Sequence, residues 1–168
     1  MTKLAVIPRK PAFADPADAG AARRAREDAV LAEAESIFAK RYMRQGQTLD
    51  VAGAKAWLKL HLGTVPYEVF GLVHLDQRHR IIQTQDLFCG TINGATVVPR
   101  EVVAECFKHN SAAVVLYHQH PSGDSTPSVA DDMLTSQIKQ ALAMIEVRVI
   151  DHIVVGETPY SFAEHGKL

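Results

Sequence analysis

The chain has 168 residues, 47% of them hydrophobic and 22% charged, enough for one compact domain with a core of its own. A net charge of −1 and a pI near 6.7 argue against a strongly basic nucleic-acid binder. Its two cysteines, Cys89 and Cys106, form no CxxC pattern, which argues against a disulfide scaffold or a zinc ribbon, and no apolar run approaches the roughly 20 residues that span a bilayer.

The first 17 residues contain Pro8, Pro11 and Pro16 without periodicity and are expected to be an irregular tail; their short, proline-broken apolar part does not suit a signal peptide. We therefore expect a reducing, cytoplasmic setting. Residues 18–44 are rich in Ala, Glu and Arg. Val30, Leu31, Ala34, Ile37, Phe38 and Tyr42 recur at helical spacing, which predicts a long amphipathic helix. "VAGAKAWLKLHLG" predicts a second helix, with Val51, Ala54, Trp57, Leu58 and Leu62 on one side and Gly63 as its stop. Residues 1–60 hold 11 Lys and Arg against 7 Asp and Glu, so the front end is mildly basic, which a mixed-charge solvated helix also explains.

Beyond Pro66 the pattern changes. "YEVFGLVHLD" and "HRIIQTQDLF" read as two strands joined by a turn at "QRH". "GTINGATVVP" reads as a loop leading into a short strand. "REVVAECFKHN", after Pro99, reads as a helix that buries Val102, Val103, Cys106 and Phe107. "SAAVVLYH" is almost continuously apolar, as in a strand covered on both faces. Val129, Met133, Ile138, Ala141, Leu142 and Ile145 recur at helical spacing, "VRVIDHIVVG" gives another strand, and "YSFAE" a last short one. Interleaved helices and strands place the fold in the α/β or α+β class with a central sheet. The expected division is an irregular tail over 1–17, a helical region over 18–64 and a catalytic-type domain over 65–168.

"VVLYHQHPSGDSTPSVADDM" carries the chemistry. His118 and His120 stand two apart where a strand ends, so both imidazoles can aim into one pocket. Ser128 and Asp131 stand three apart where a helix begins and share a face. "PSGDSTP" between them suits a tight reversal of the chain. Two imidazoles and a carboxylate are the three-ligand set of a catalytic zinc site with an open fourth position. Zinc in such a site lowers the pKa of bound water to about 7. Taken alone, Ser128 and Asp131 are better explained by an N-terminal capping box, but a cap leaves the paired histidines unexplained.

His118-x-His120, seven residues, Ser128, two residues and Asp131 resemble the JAMM motif of the JAB/MPN metalloprotease superfamily. The likeness is closer to its RadC-like branch, through "VVPREVVAECFKHNSAAVVLYHQHPSGDSTPSVADD", "YEVFGLVHLDQRHRII" and "VRVIDHIVVGETPYSFAEHG", and covers about residues 45–168. The chain resembles a short form of that branch without its helix-hairpin-helix front. The resemblance implies a JAB/MPN-like mixed central sheet flanked by helices, with an N-terminal helical extension. It implies that His118, His120 and Asp131 bind Zn2+, that Ser128 polarises a substrate carbonyl, and that Glu68, in "YEVF", is the general base. His152 matches an Asp-His pair of the family and reads as a hydrogen-bonded structural histidine. Gln119 stands where the branch commonly has Asn, on the side facing away from the metal.

The expected function is a zinc-dependent metallopeptidase or isopeptidase-like hydrolase, in which zinc-bound water attacks an amide carbonyl. Its substrate would be a peptide or isopeptide of unknown identity, with no membrane partner. Two other classes stay open: a DNA-associated accessory protein, and a catalytically silent zinc-containing domain that binds a partner.

Overall fold

The computed structural model describes residues 16–42, 48–63, 65–90 and 97–168. The chain separates into two units, divided between Ala34 and Glu35. The first contributes most of helix α1 (Pro16–Tyr42), an Ala-rich helix with Arg23 and Glu27 paired one turn apart at 3.6 Å. Of its expected apolar stripe, Val30 and Ile37 are 58% and 44% exposed, Phe38, which belongs to the second unit, packs against that unit's core, and the Tyr42 side chain lies outside the described residues. Part of the expected loop between the second strand and the following helix, residues 91–96, lies outside the described residues, as does the tail over 1–15.

In the second unit, α2 (Val51–Leu62) starts at Asp50, whose carboxylate accepts the Gly53 N–H at 2.6 Å, and carries Lys59 and His61 in its last turn, where cations suit the helix dipole. Then come β1 (Val69–Leu75), β2 (Ile81–Cys89), α3 (Pro99–His109), β3 (Ala113–Gln119), α4 (Val129–Ala143), β4 (Arg148–Val155) and β5 (Tyr160–Ser161). The turn from β1 to β2 is tied by Asp76, which accepts N–H bonds from Arg78 at 2.8 Å and Arg80 at 2.9 Å, while His79 takes a left-handed φ of 57°.

The strands form one mixed sheet in the order β2-β1-β3-β4-β5. β3 and β4 run parallel, with α4 as their crossover; the other neighbouring pairs are antiparallel. Alternation along β3 sorts its side chains. Val115 and Tyr117 pack with Trp57, Leu58 and Leu62 of α2 on one face. Val114 and Leu116 pack with Val102 and Cys106 of α3 and Ile138 and Leu142 of α4 on the other. Both faces of β3 are therefore covered, as its continuous apolar run implies. His118 falls on the α3 and α4 face and Gln119 on the α2 face.

Helix α4 differs from its expected stripe in an informative way. Ile138 and Leu142 are buried, but Val129 and Met133 are 76% and 59% exposed. The inward row is Thr135, Ile138 and Leu142, and helical spacing extends it back to Asp131. Polar residues occupy the inward positions at the N-terminal end, which turns Val129 and Met133 outward. On α3, Phe107 is likewise 66% exposed, because Val102 and Cys106 define the buried row.

Candidate metal centre

His118 sits near the end of β3, in register with Phe70 of β1 and Val154 of β4. His120 lies just past the strand but continues the ladder, its N–H donating to Val155 O at 2.9 Å. The chain then reverses. Gly123 N–H returns to His120 O at 3.0 Å, and Gly123 takes a φ of +85°, which a side chain would strain. This loop is fastened to the segment after β4 by Glu157 N–H to Gly123 O at 2.8 Å and by the Ser125 hydroxyl to Thr158 O at 2.5 Å. Asp124 acts as a turn residue, accepting Thr126 N–H at 2.9 Å.

Ser128 is the N-cap of α4 and Asp131 its third helical residue, and the capping box is complete. Asp131 N–H reaches Ser128 Oγ at 3.2 Å. Asp131 Oδ2 accepts both the Ser128 N–H at 2.7 Å and the Ser128 hydroxyl at 2.6 Å. The other oxygen, Oδ1, faces His118 Nε2 at 3.2 Å. One carboxylate thus caps the helix with one oxygen and turns the other toward His118, so the two explanations of the Ser128/Asp131 spacing are compatible.

His118 Nε2 and His120 Nε2 are 3.0 Å apart, and His120 Nε2 lies 3.7 Å from Asp131 Oδ2. Two N–H groups cannot face each other at 3.0 Å, so at least one nitrogen presents a lone pair. His120 Nδ1 is 2.7 Å from Asp124 O. A carbonyl only accepts, so Nδ1 carries the proton and Nε2 is left to act as a ligand. Among the described residues, His118, His120 and Asp131 form the one group of three such donors whose ligating atoms lie within 4.8 Å of one another. Donors around a tetrahedral zinc, at bond lengths of about 2.0–2.1 Å, stand roughly 3.3 Å apart. The 3.0 and 3.2 Å separations lie close to that spacing and the third, 3.7 Å from His120 Nε2 to Asp131 Oδ2, is somewhat longer, so the residues present fit the ion.

The electrostatics agree. Burial alone would raise the Asp131 carboxyl, but the His118 and His120 imidazoles beside it outweigh that and hold the group well below the usual carboxylate range. His120 is raised, first by the Asp131 carboxylate beside it and against partial burial, with the Asp124 carbonyl and the Glu68 charge adding. Glu68 is half-buried just before β1, and its own backbone oxygen accepts Gly90 N–H at 2.8 Å. Its charge is therefore felt at His120 although some fifty residues of chain separate the two.

Three further residues touch this arrangement. Gln119 is buried and reaches the opposite way, donating to Val65 O at 2.8 Å and Tyr67 O at 2.5 Å, so it grips the backbone directly ahead of Glu68. His152 of β4 is fully buried, with Phe162 stacked at 4.8 Å and Phe70 edge-on at 6.0 Å. Its Nε2 is 2.8 Å from His118 Nδ1 and its Nδ1 is 2.6 Å from Thr135 Oγ1. Burial holds its pKa well below that of free histidine. Thr135 donates to Asp131 O at 2.6 Å. The sequence offered a signal for Thr135 only in its place one turn beyond Asp131. Next to His152, buried Asp151 binds the closing segment, accepting N–H bonds from His152 at 2.7 Å and Ala163 at 3.0 Å and the Ser161 hydroxyl at 2.7 Å. Asp132 faces away and pairs with Lys167 at 2.8 Å. Cys89 is exposed, and burial pushes the Cys106 thiol up to about 12, an unreactive state. No helix among the described residues is long and apolar enough to cross a membrane.

Residues 49–167 match the family model of the RadC-like JAB domain. A UPF0758 protein of Vibrio cholerae serotype O1 is 45% identical over 146 residues, covering 87% of this chain and 93% of that protein. A UPF0758 protein of Janthinobacterium sp. is 54% identical over 115 residues, covering 68% of this chain and 51% of the relative.

Proposed function

We propose that this chain, which belongs to the RadC-like JAB domain family, is a zinc-dependent hydrolase of amide or isopeptide bonds. The observation that carries the proposal is the convergence of His118, His120 and Asp131 within 4.8 Å, with the Glu68 charge felt at His120. Zinc held there supplies Lewis-acid activation of water and of a substrate carbonyl.

The residues divide the remaining work. His118 and His120 each offer Nε2, and Asp131 offers Oδ1 while its other oxygen stays on the cap. With Asp131 committed to the ion, Glu68 is the carboxylate left to accept a proton from the attacking water and return it to the leaving amine. Ser128 stands at the mouth of the site with a hydroxyl that now bonds Asp131 Oδ2 at 2.6 Å, and in the reaction it turns to donate to the substrate carbonyl oxygen.

Metal analysis after exhaustive chelation and zinc titration tests the reading. Wild type and Glu68→Gln should take up stoichiometric zinc, and His120→Ala should lose it. On a panel of peptide and isopeptide substrates, Glu68→Gln should lower turnover about 10²–10⁴-fold while retaining the metal. Absence of zinc uptake by the wild type would sink the proposal.

A further inference from the structure

The two histidine ligands have their protons arranged by different means. His120 Nδ1 faces a backbone carbonyl, which can only accept, so its tautomer is settled locally. His118 Nδ1 faces another imidazole, His152, which can accept or donate, so nothing in that single contact decides the matter. The decision lies one step further on, at Thr135.

On the reading that His118, His120 and Asp131 hold zinc, we propose that His152 and Thr135 are positioning residues: their proton order selects Nε2 of His118 as the ligand atom and couples the strand that carries His118 to the helix that carries Asp131. Three hydrogen bonds make up the chain: His118 Nδ1 to His152 Nε2 at 2.8 Å, His152 Nδ1 to Thr135 Oγ1 at 2.6 Å, and Thr135 Oγ1 to Asp131 O at 2.6 Å. Each neutral ring and the hydroxyl own one proton, so the links must run the same way. If Thr135 gives its proton to Asp131 O, it accepts from His152 Nδ1–H. His152 Nε2 then accepts from His118 Nδ1–H, and His118 Nε2 keeps a lone pair facing His120 and Asp131.

The reverse order gives the Thr135 proton to His152 Nδ1 and places a proton on His118 Nε2, where it blocks coordination. It also deprives Asp131 O of its hydroxyl donor. His152 is fully buried between Phe162 and Phe70, so water cannot substitute for either partner. The relay joins β3, β4 and α4, and through it the Thr135 hydroxyl acts on both ligands, on Asp131 through its backbone and on His118 through a ring. Partners of this kind orient a ligand and raise its basicity, and their loss typically weakens metal binding 10–100-fold.

Thr135→Val keeps the shape of the side chain and removes the hydroxyl. Thr135→Ser restores the hydroxyl. His152→Phe suits the aromatic surroundings and removes both ring nitrogens. Zinc affinity is measured by competition with a chromogenic chelator, and the nitrogen through which His118 binds by imidazole 15N NMR of the zinc-loaded protein. The expected results are a loss of about tenfold in Thr135→Val, near wild-type affinity in Thr135→Ser, and about 100-fold loss in His152→Phe. In the loaded wild type His118 should carry its proton on Nδ1 and bind through Nε2. Wild-type affinity in Thr135→Val and His152→Phe, or His118 bound through Nδ1 in the loaded wild type, overturns the relay while leaving zinc binding intact. Failure of the wild type to take up zinc overturns the metal reading and the relay with it.

Discussion

Gln119 stands between the two histidines in sequence and on the opposite face of the sheet. The two-residue period of a strand allows one short run to hold metal ligands on one side and a structural clamp on the other. The clamp grips Val65 O and Tyr67 O, immediately before Glu68. Gln119→Leu keeps the volume but removes the amide, leaving two partly buried carbonyls without that donor at a cost of about 1 kcal/mol. Turnover should fall with it, because Glu68 loses its backbone anchor. Zinc affinity should stay at the wild-type level, since His118 and His120 face the other way. Denaturant midpoints and chelator competition on one preparation check both halves. A parallel tenfold loss of zinc affinity would show that the two faces are not independent.

At the scale of elements, β1 depends on an atom it lacks. Gly71 lies opposite Tyr117 of β3 and Asp86 of β2, and the Tyr117 ring crosses over it to donate to Asp86 Oδ1 at 2.7 Å. A Cβ at Gly71 would stand 2.3 Å from Tyr117 Cζ and 2.5 Å from Gln85 O. Gly71→Ala should therefore cost about 3 kcal/mol through overpacking, and Tyr117→Phe about 1–2 kcal/mol through the lost hydrogen bond, both read by denaturant unfolding. These features mark where sequence reasoning stops. β1, β3 and β4 are legible because their apolar runs are local, and the His118/His120 pair is legible because strand period is local. The crossing of Tyr117 over Gly71, and the meeting of His152 with Thr135, depend on which strands become neighbours, and local pattern does not encode that. Helix α4 is instructive for another reason. A rule that places apolar residues inward selects Val129 and Met133, whereas the inward positions at the site belong to Asp131 and Thr135.

For the whole molecule, the even face of β1 joins two ends of the sheet with different chemistry. Phe70 pairs with His118 at the metal-centre end, and His74 pairs with Val114 at the other. His74 is fully buried, hydrogen-bonded through Nδ1 to Ser111 Oγ at 2.8 Å, with no partner for Nε2 among the described residues. His109 of α3 lies against it at 4.5 Å, and Glu105 and Lys108 of the same helix are the other charges that act on it. Burial lowers its pKa from 6.5 to about 4, with His109 adding and Glu105 opposing. Between those values the unfolded chain binds more protons than the folded one, so stability rises with pH through the interval. The contribution is fully present above about pH 6.5 and is lost as pH falls toward about 4, amounting to about 3 kcal/mol at 1.4 kcal/mol per unit. His74→Phe carries a ring of similar size and no titrating proton. Its stability, followed by denaturant unfolding of metal-free protein from pH 7.5 to 4, should decline less than that of the wild type by about that amount. Paired carboxylates such as Asp86 and Asp131 weaken both proteins equally on acidification and cancel in the difference. Curves that stay parallel across the interval would show that His74 does not set the acid limit of this fold.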